Sequence, residues 1–138
     1  MRNGAIFTWD TSGGTTNRAA LVSDIAGAES VPTIARVTTV SFPDRHFIAG
    51  GCTSYSTGNV DDMLIRWSSQ EQFEKFAPTA TNTAGDQRLE VGTKIVAMVA
   101  AREETLISTD SALYGMTFVG GNFVFSFRLL ATDCGAAG

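Results

Sequence analysis

Few side chains in this sequence have the means to do chemistry. There is one histidine, His46 in FPDRHFIAGG, with Asp44 two residues before it. An imidazole beside a carboxylate is the beginning of a general base, so a hydrolase using His46 and Asp44 is one reading. It lacks support: the sequence has no Gly-x-Ser-x-Gly elbow, no paired histidines at zinc spacing and no phosphate loop. The simpler reading sets His46 on a strand just after a turn, filling a pleat or meeting solvent. Asp61 and Asp62 are adjacent but lack the alternating spacing of a calcium loop, and read as a solvated strand start. Cys52 in GGCTS and Cys134 in TDCGAAG have no second ligand near either, and read as free thiols at strand ends rather than as a disulfide or metal site. No catalytic, cofactor or metal residue is therefore expected.

Other polar and aromatic positions read as structural. Asp110 in STDS and Ser69 in RWSSQ are suited to accept backbone N–H groups two residues on, as in an Asx-type turn. Tyr114, Phe118, Phe123, Phe125 and Phe127 could form a sugar-stacking platform, but their every-second-residue spacing points to one buried sheet face. Trp9 and Trp67 each precede a small polar residue, so each indole is expected to close a sheet layer while its N–H finds a carbonyl.

These groups have to be positioned by strands. The 138 residues suffice for one domain, and a hydrophobic content of 43% suffices for a packed core. Gly, Ser and Thr are abundant while helix-favouring blocks are scarce, which predicts an all-β chain. Fourteen acids against ten bases give a net charge of −4 with no basic cluster, which argues against a nucleic-acid grip. No apolar stretch reaches the roughly 20 residues of a membrane span. The start MRNGAIFTWD lacks the order of a signal peptide, so no membrane anchor and a reducing compartment of synthesis are expected.

Residues 1–32 read as an N-terminal strand, AIFTWD, followed by a loop and a connector, AALVSDIAGAESVP, that is either a helical turn or extended. Residues 33–138 read as two β units. TIARVTTVSF and HFIAGG form a hairpin around a PDR turn, with Pro43 at its first corner. DDMLIRWSS follows as a strand with Met63, Ile65 and Trp67 on one side and Leu64 and Arg66 on the other. SQEQFEKFAP is a helical turn or bent strand, and TATNTAGDQ a loop. RLEVGTKIVAMVAA and TLISTD form a second hairpin around REE, and SALYGMTFVG and NFVFSFRLLAT add two strands across Gly120-Gly121-Asn122. The hairpins superpose at an offset of about 60 residues, so the unit is a four-stranded antiparallel meander, the content of one propeller blade. The expected fold is all-β with antiparallel meander sheets, partly β-propeller-like; a β-sandwich is the alternative. A propeller has four or more blades, so a longer chain, further copies or partners would complete a ring.

The series DDMLIRWSSQEQFEKFAP, NTAGDQRLEVGTKIVAMVAAREETLISTDSALYGMTFVGG and FVFSFRLLATDCG resembles the tail nozzle (tail tubular protein B) family of short-tailed bacteriophages. The family shows a similar order: an Arg-Trp-Ser strand, an Asn-x-Ala-Gly loop, a Gly-x-x-Ile/Val hairpin, a Thr-Asp-x-x-Leu/Tyr strand, a Gly turn and a final Cys-Gly. The resemblance covers residues 33 to 135, and its specificity lies in the order of these short motifs. It implies a non-catalytic structural protein of the virion, made in the host cytoplasm and assembled as a homo-oligomeric ring against adaptor or portal-side tail proteins. DNA would pass through such a ring without specific binding. Trp67, Ser68, Thr109, Asp110, Tyr114 and the Phe118 to Phe127 face are then shape-keeping residues. Nozzle proteins are several times longer than this chain. The alternative function is a non-catalytic β-rich module that recognises a glycan or a protein through loops such as CTSYSTGNV.

Overall fold

A computed structural model describes residues 4–121 and 124–132 of the chain. Asn122, Phe123 and Cys134 lie outside the described residues, so the readings of these three are not addressed. The fold is all-β, with ten strands among the described residues: β1 Phe7–Thr8, β2 Ala20–Leu21, β3 Ala35–Val40, β4 Phe47–Thr53, β5 Val60–Trp67, β6 Gly85–Arg88, β7 Ile95–Ala100, β8 Thr105–Thr109, β9 Ala112–Gly120 and β10 Val124–Thr132. β3 to β6 form one four-stranded sheet and β7 to β10 a second, each with its strands side by side in chain order and antiparallel throughout. The expected hairpins are β3–β4 and β7–β8, and their first strands begin at Ala35 and Ile95, the offset read from the repeat.

Strand β6 was not visible in the sequence, and it corrects two expectations. GDQR, assigned to a loop and to the start of the second hairpin, is instead the outer strand of the first sheet, paired with β5 from Leu64↔Arg88 to Trp67↔Gly85. It has no apolar alternation because it is an edge: Asp86, Gln87 and Arg88 are exposed, and charged side chains on an edge discourage pairing with other chains. Leu89 to Lys94 then carry the chain from one sheet to the other, with only Leu89 buried in the core. The 69–78 segment forms turns and short bridges, Ser69 with Gln72 and Glu29 with Lys75, rather than a helix. The connector before β3 combines both readings: a single 3-10 turn, Val22–Asp24, sits within an otherwise extended path. The Phe42–Pro43 bond at the first hairpin turn is cis.

The two sheets stack face to face over one core. Ile48, Met63, Ile65 and Trp67 from the first meet Ile95, Ile107, Tyr114, Met116 and Phe125 from the second. β3 lies beside β7, and Trp67 at the end of β5 stacks on Phe125 and Phe127 of β10. The fold is thus two stacked antiparallel four-stranded meanders that meet along β3 and β7 and again where Trp67 packs on β10. A bulge at Gly51 (φ +61°) changes which face β4 presents. Before it, Ile48 points into the shared core; after it, Cys52 joins Ala35, Ala49 and Leu64 on the outer face. Glycine suits a bulge in this conformation because a side chain there is strained.

The outer faces of the two sheets differ. That of the first is covered by the N-terminal segment: Ile6 packs on Ala49 and Leu64, and Val22, Val31 and Phe76 form an adjoining cluster. That of the second carries Ala97 and Val99 on β7, Leu106 on β8, Leu113 on β9 and Leu130 on β10. Val99 is 61% and Leu130 38% exposed, and none of these five belongs to a core cluster of the described residues.

Candidate functional site

The densest polar constellation is built around His46. The turn that reverses β3 into β4 closes on itself: Ser41 N–H donates to the His46 carbonyl at 2.9 Å and Arg45 N–H to the Ser41 carbonyl at 3.1 Å. Arg45 takes a positive φ of 59°, which lets the chain double back within so few residues. Ser41 Oγ accepts the His46 N–H at 3.0 Å and donates to Asp44 Oδ2. The same carboxylate oxygen lies 2.6 Å from His46 Nδ1, and on the far side of the ring Nε2 lies 3.0 Å from Thr83 Oγ1. Thr83 comes from the segment before β6, and its oxygen also accepts the Gln70 N–H at 2.8 Å while its carbonyl accepts the Trp67 indole N–H at 2.8 Å. Phe125 meets the imidazole edge-on with centroids 4.9 Å apart, and Phe118 lies 5.3 Å away.

The protonation pattern follows from the partners. A carboxylate can only accept, so Nδ1 carries the hydrogen, and Nε2 accepts from the Thr83 hydroxyl. Burial pushes the His46 pKa below its ordinary value, with Asp44 opposing, so the ring is neutral at pH 7. The resulting line of carboxylate, imidazole and hydroxyl has the order of a nucleophilic triad. Access is what it lacks. His46 is 0% and Asp44 7% exposed, so no substrate can reach the imidazole of a hydrolase built on them. The constellation instead clamps three parts of the chain together: the 41–46 turn, the segment at Thr83, and the aromatic end of the second sheet.

Beyond the clamp, the residues singled out from the sequence separate into several fates. Trp67 behaves as expected, 4% exposed with its N–H on a carbonyl. Trp9 does not: it is 48% exposed, because the two-residue strands β1 and β2 form too small a ribbon to bury an indole. The turn-forming role expected of Asp110 belongs to Thr109 just before it, and beside Ser69 it is Ser68 that bonds to backbone, across to the neighbouring strand. Thr109 Oγ1 accepts the N–H groups of Ser111 (3.2 Å) and Ala112 (2.9 Å), and Ser68 Oγ accepts the N–H of Phe47 at 3.0 Å. Asp110 reaches across to Thr93 instead, accepting its N–H at 2.7 Å and its hydroxyl, which holds the Asp110 carboxyl below the usual carboxylate range. Tyr114 is buried on the core face with its hydroxyl accepting the Val91 N–H. Phe125 is buried and Phe127 packs on the core, whereas Phe118 is 37% exposed at the rim.

Asp61 pairs with Arg88 at 2.9 Å and Asp62 with Arg36 at 3.3 Å, and no acidic, cysteine or histidine group with the make-up of a metal site occurs among the described residues. Cys52 is free, as expected, and lies one residue from the end of β4, where it is fully buried, and burial pushes its thiol up to about 12. Two residues to which sequence reading assigned no such role are central. Thr83 sits in the polar run TATNTAG, which carries no signal beyond being a loop. Arg66 is 2% exposed, and its guanidinium donates to the carbonyls of Thr53 (2.9 Å) and Ser30 (2.5 Å) between the rings of Tyr55 and Phe76. It thereby ties the N-terminal connector to the first sheet through backbone carbonyls, with Asp86 opposite it on β6.

No family model, curated protein or solved structure matches this chain.

Proposed function

We propose that this protein is a structural component of a phage tail, related to the tail nozzle proteins, which assembles with further copies of itself into a ring around the path of DNA ejection. The observation that carries this reading is the unequal finish of the two sheets. One outer face is covered by the chain's own N-terminal segment, while the other leaves Ala97, Val99, Leu106, Leu113 and Leu130 without a covering element among the described residues. The Glu104–Arg128 ion pair crosses the same face over Gly115, so the exposed Val99 and Leu130 are its apolar part, and such a half-covered face is suited to stacking. A contact between unlike surfaces of successive copies closes into a ring when its rotation allows. The order of the Arg-Trp-Ser, Asn-x-Ala-Gly, Thr-Asp and Gly-turn motifs supports the same family. The balance of charge is in keeping, since a conduit for a polyanion works best when it does not hold it.

The test is the mass of the intact protein in solution, with and without a portal-side tail protein of the same phage. The expected result is a closed oligomer, or a complex with that partner, that is lost in the double variant Val99→Lys, Leu130→Lys while the monomer stays folded. A chain that remains monomeric and binds no tail protein overturns the proposal.

A binding module is the second reading, favoured by a polar cleft of about 610 Å³ lined by Ser54, Thr57, Asn59, Asp61, Asp86 and Arg88. Hydroxyls and carboxylates of this kind suit a glycan. Sugar-dependent tryptophan fluorescence from a monomer would favour it over the ring.

A further inference from the structure

His46 stands where three separately built parts of the chain meet, and its neutral form is the one that satisfies all of them. Asp44 requires a hydrogen on Nδ1, and Thr83 then donates its hydroxyl hydrogen to Nε2 while its oxygen accepts from Gln70 N–H. We propose that His46 is a pH-sensitive clasp: neutral, it fastens the 41–46 turn and the second sheet to the segment at Thr83, and on protonation it lets that segment go.

The chemistry of the switch lies at Nε2. A proton added there occupies the space of the Thr83 hydroxyl hydrogen, which has to turn away. Thr83 Oγ1 then faces two N–H donors, His46 Nε2 and Gln70 N, and its own hydrogen loses the acceptor it had. The new charge also sits in a site closed to water. Around it Phe118 on β9 and Phe125 on β10 are apolar and the 82–84 segment contributes a hydroxyl; among the described residues Asp44, 2.6 Å from Nδ1, is the charge that opposes the cost of burial, and burial outweighs it. Arg45 and Glu71, on the adjoining turns, pair with each other at 3.7 Å and are exposed.

The direction of the pH dependence is fixed by burial, which lowers the folded-state pKa from 6.5 despite Asp44. Between the two values the unfolded chain holds the proton and the folded chain does not. The clasp's contribution is therefore complete above pH 6.5 and is lost as pH falls through the window beneath it. Each unit of separation is about a tenfold change in the folding constant.

The release has a built-in reporter, because the Trp67 indole N–H donates to the carbonyl of Thr83 itself. The chain has a single histidine, so its ring resonance in an NMR titration of the intact protein belongs to His46. The expected result is a midpoint below 6.5, with hydrogen-exchange protection at the Trp67 indole and the Gln70 amide, taken relative to the intrinsic rate at each pH, falling at least tenfold along the same curve. A midpoint at or above 6.5 overturns the clasp, as does exchange at Trp67 and Gln70 that ignores the state of the ring. Thr83→Val keeps the buried imidazole and removes the hydroxyl. In this variant the pH step at Trp67 should disappear, and a step as large as in the wild type would refute the mechanism. Should the variant not fold, the wild-type titration decides alone.

Discussion

At the scale of single residues, the polar groups of this protein act mostly by holding backbone in place. Thr109 satisfies two amides at the turn between β8 and β9, Ser68 takes the amide of Phe47 beside the end of β5, and Arg66 donates to the carbonyls of Thr53 and Ser30. Buried polar groups are costly unless partnered, so such bonds fix one geometry out of many. Asp110 allows a test by pH. Its hydrogen bonds from Thr93 lower its folded-state pKa from 3.8, so its contribution is present above pH 3.8 and lost as pH falls through the folded value. Urea unfolding of wild type and Asp110→Asn should therefore differ at neutral pH and converge in strong acid. A constant difference at all pH values would mean that the carboxylate's charge is not what matters at Thr93.

At the scale of elements, two meanders are held in register by contacts at their ends. β6 is short and polar, and its place depends on how closely Gly85 approaches β5. A Cβ at Gly85 would lie 2.7 Å from Trp67 Cζ2, closer than carbon atoms can sit. Gly85→Ala must therefore displace the indole, which also disturbs its bond to Thr83 and its stacking on Phe125. The expected loss of stability is ~1–3 kcal/mol, the usual cost of overpacking a well-filled site. Chemical denaturation followed by tryptophan fluorescence would show a lower midpoint together with a changed native emission. An unchanged midpoint would mean that Trp67 is free to move aside and that β6 does not depend on it.

At the scale of the whole molecule, the stack ends differently on its two sides, and this asymmetry underlies the assembly proposed above. Covering the first sheet with the N-terminal segment and Phe76 makes that side self-sufficient, while the second sheet keeps Val99 and Leu130 exposed beside the Glu104–Arg128 pair. The acidic balance of the chain gives a further expectation. With a net charge of −4 and no cluster of basic residues, the protein should show no salt-sensitive affinity for duplex DNA. Fluorescence anisotropy of a labelled duplex should stay flat as protein is added at low salt. Binding that weakens steeply with added salt would contradict a conduit that lets DNA pass.

The sequence by itself determined most of the strands and, for β5 and the aromatic run of β9 and β10, which side is apolar. Period-two alternation is local, so β3, β4, β5, β7, β8 and β9 were legible, as was the division of β5 into Met63, Ile65 and Trp67 against Leu64 and Arg66. Edge strand β6 was not legible, because a strand that buries little leaves no alternation and exists only through its pairing with β5. The site around His46 was half legible. Asp44 stood beside it in sequence, but Thr83 is brought to the ring by the return of the chain along β6, and Phe118 and Phe125 by the stacking of the second sheet. Hydrogen bonding and burial depend on distance in space, and only the tertiary structure sets that distance for residues far apart in the chain. That is why the same imidazole reads as a candidate base in the sequence and as a buried clamp in the fold.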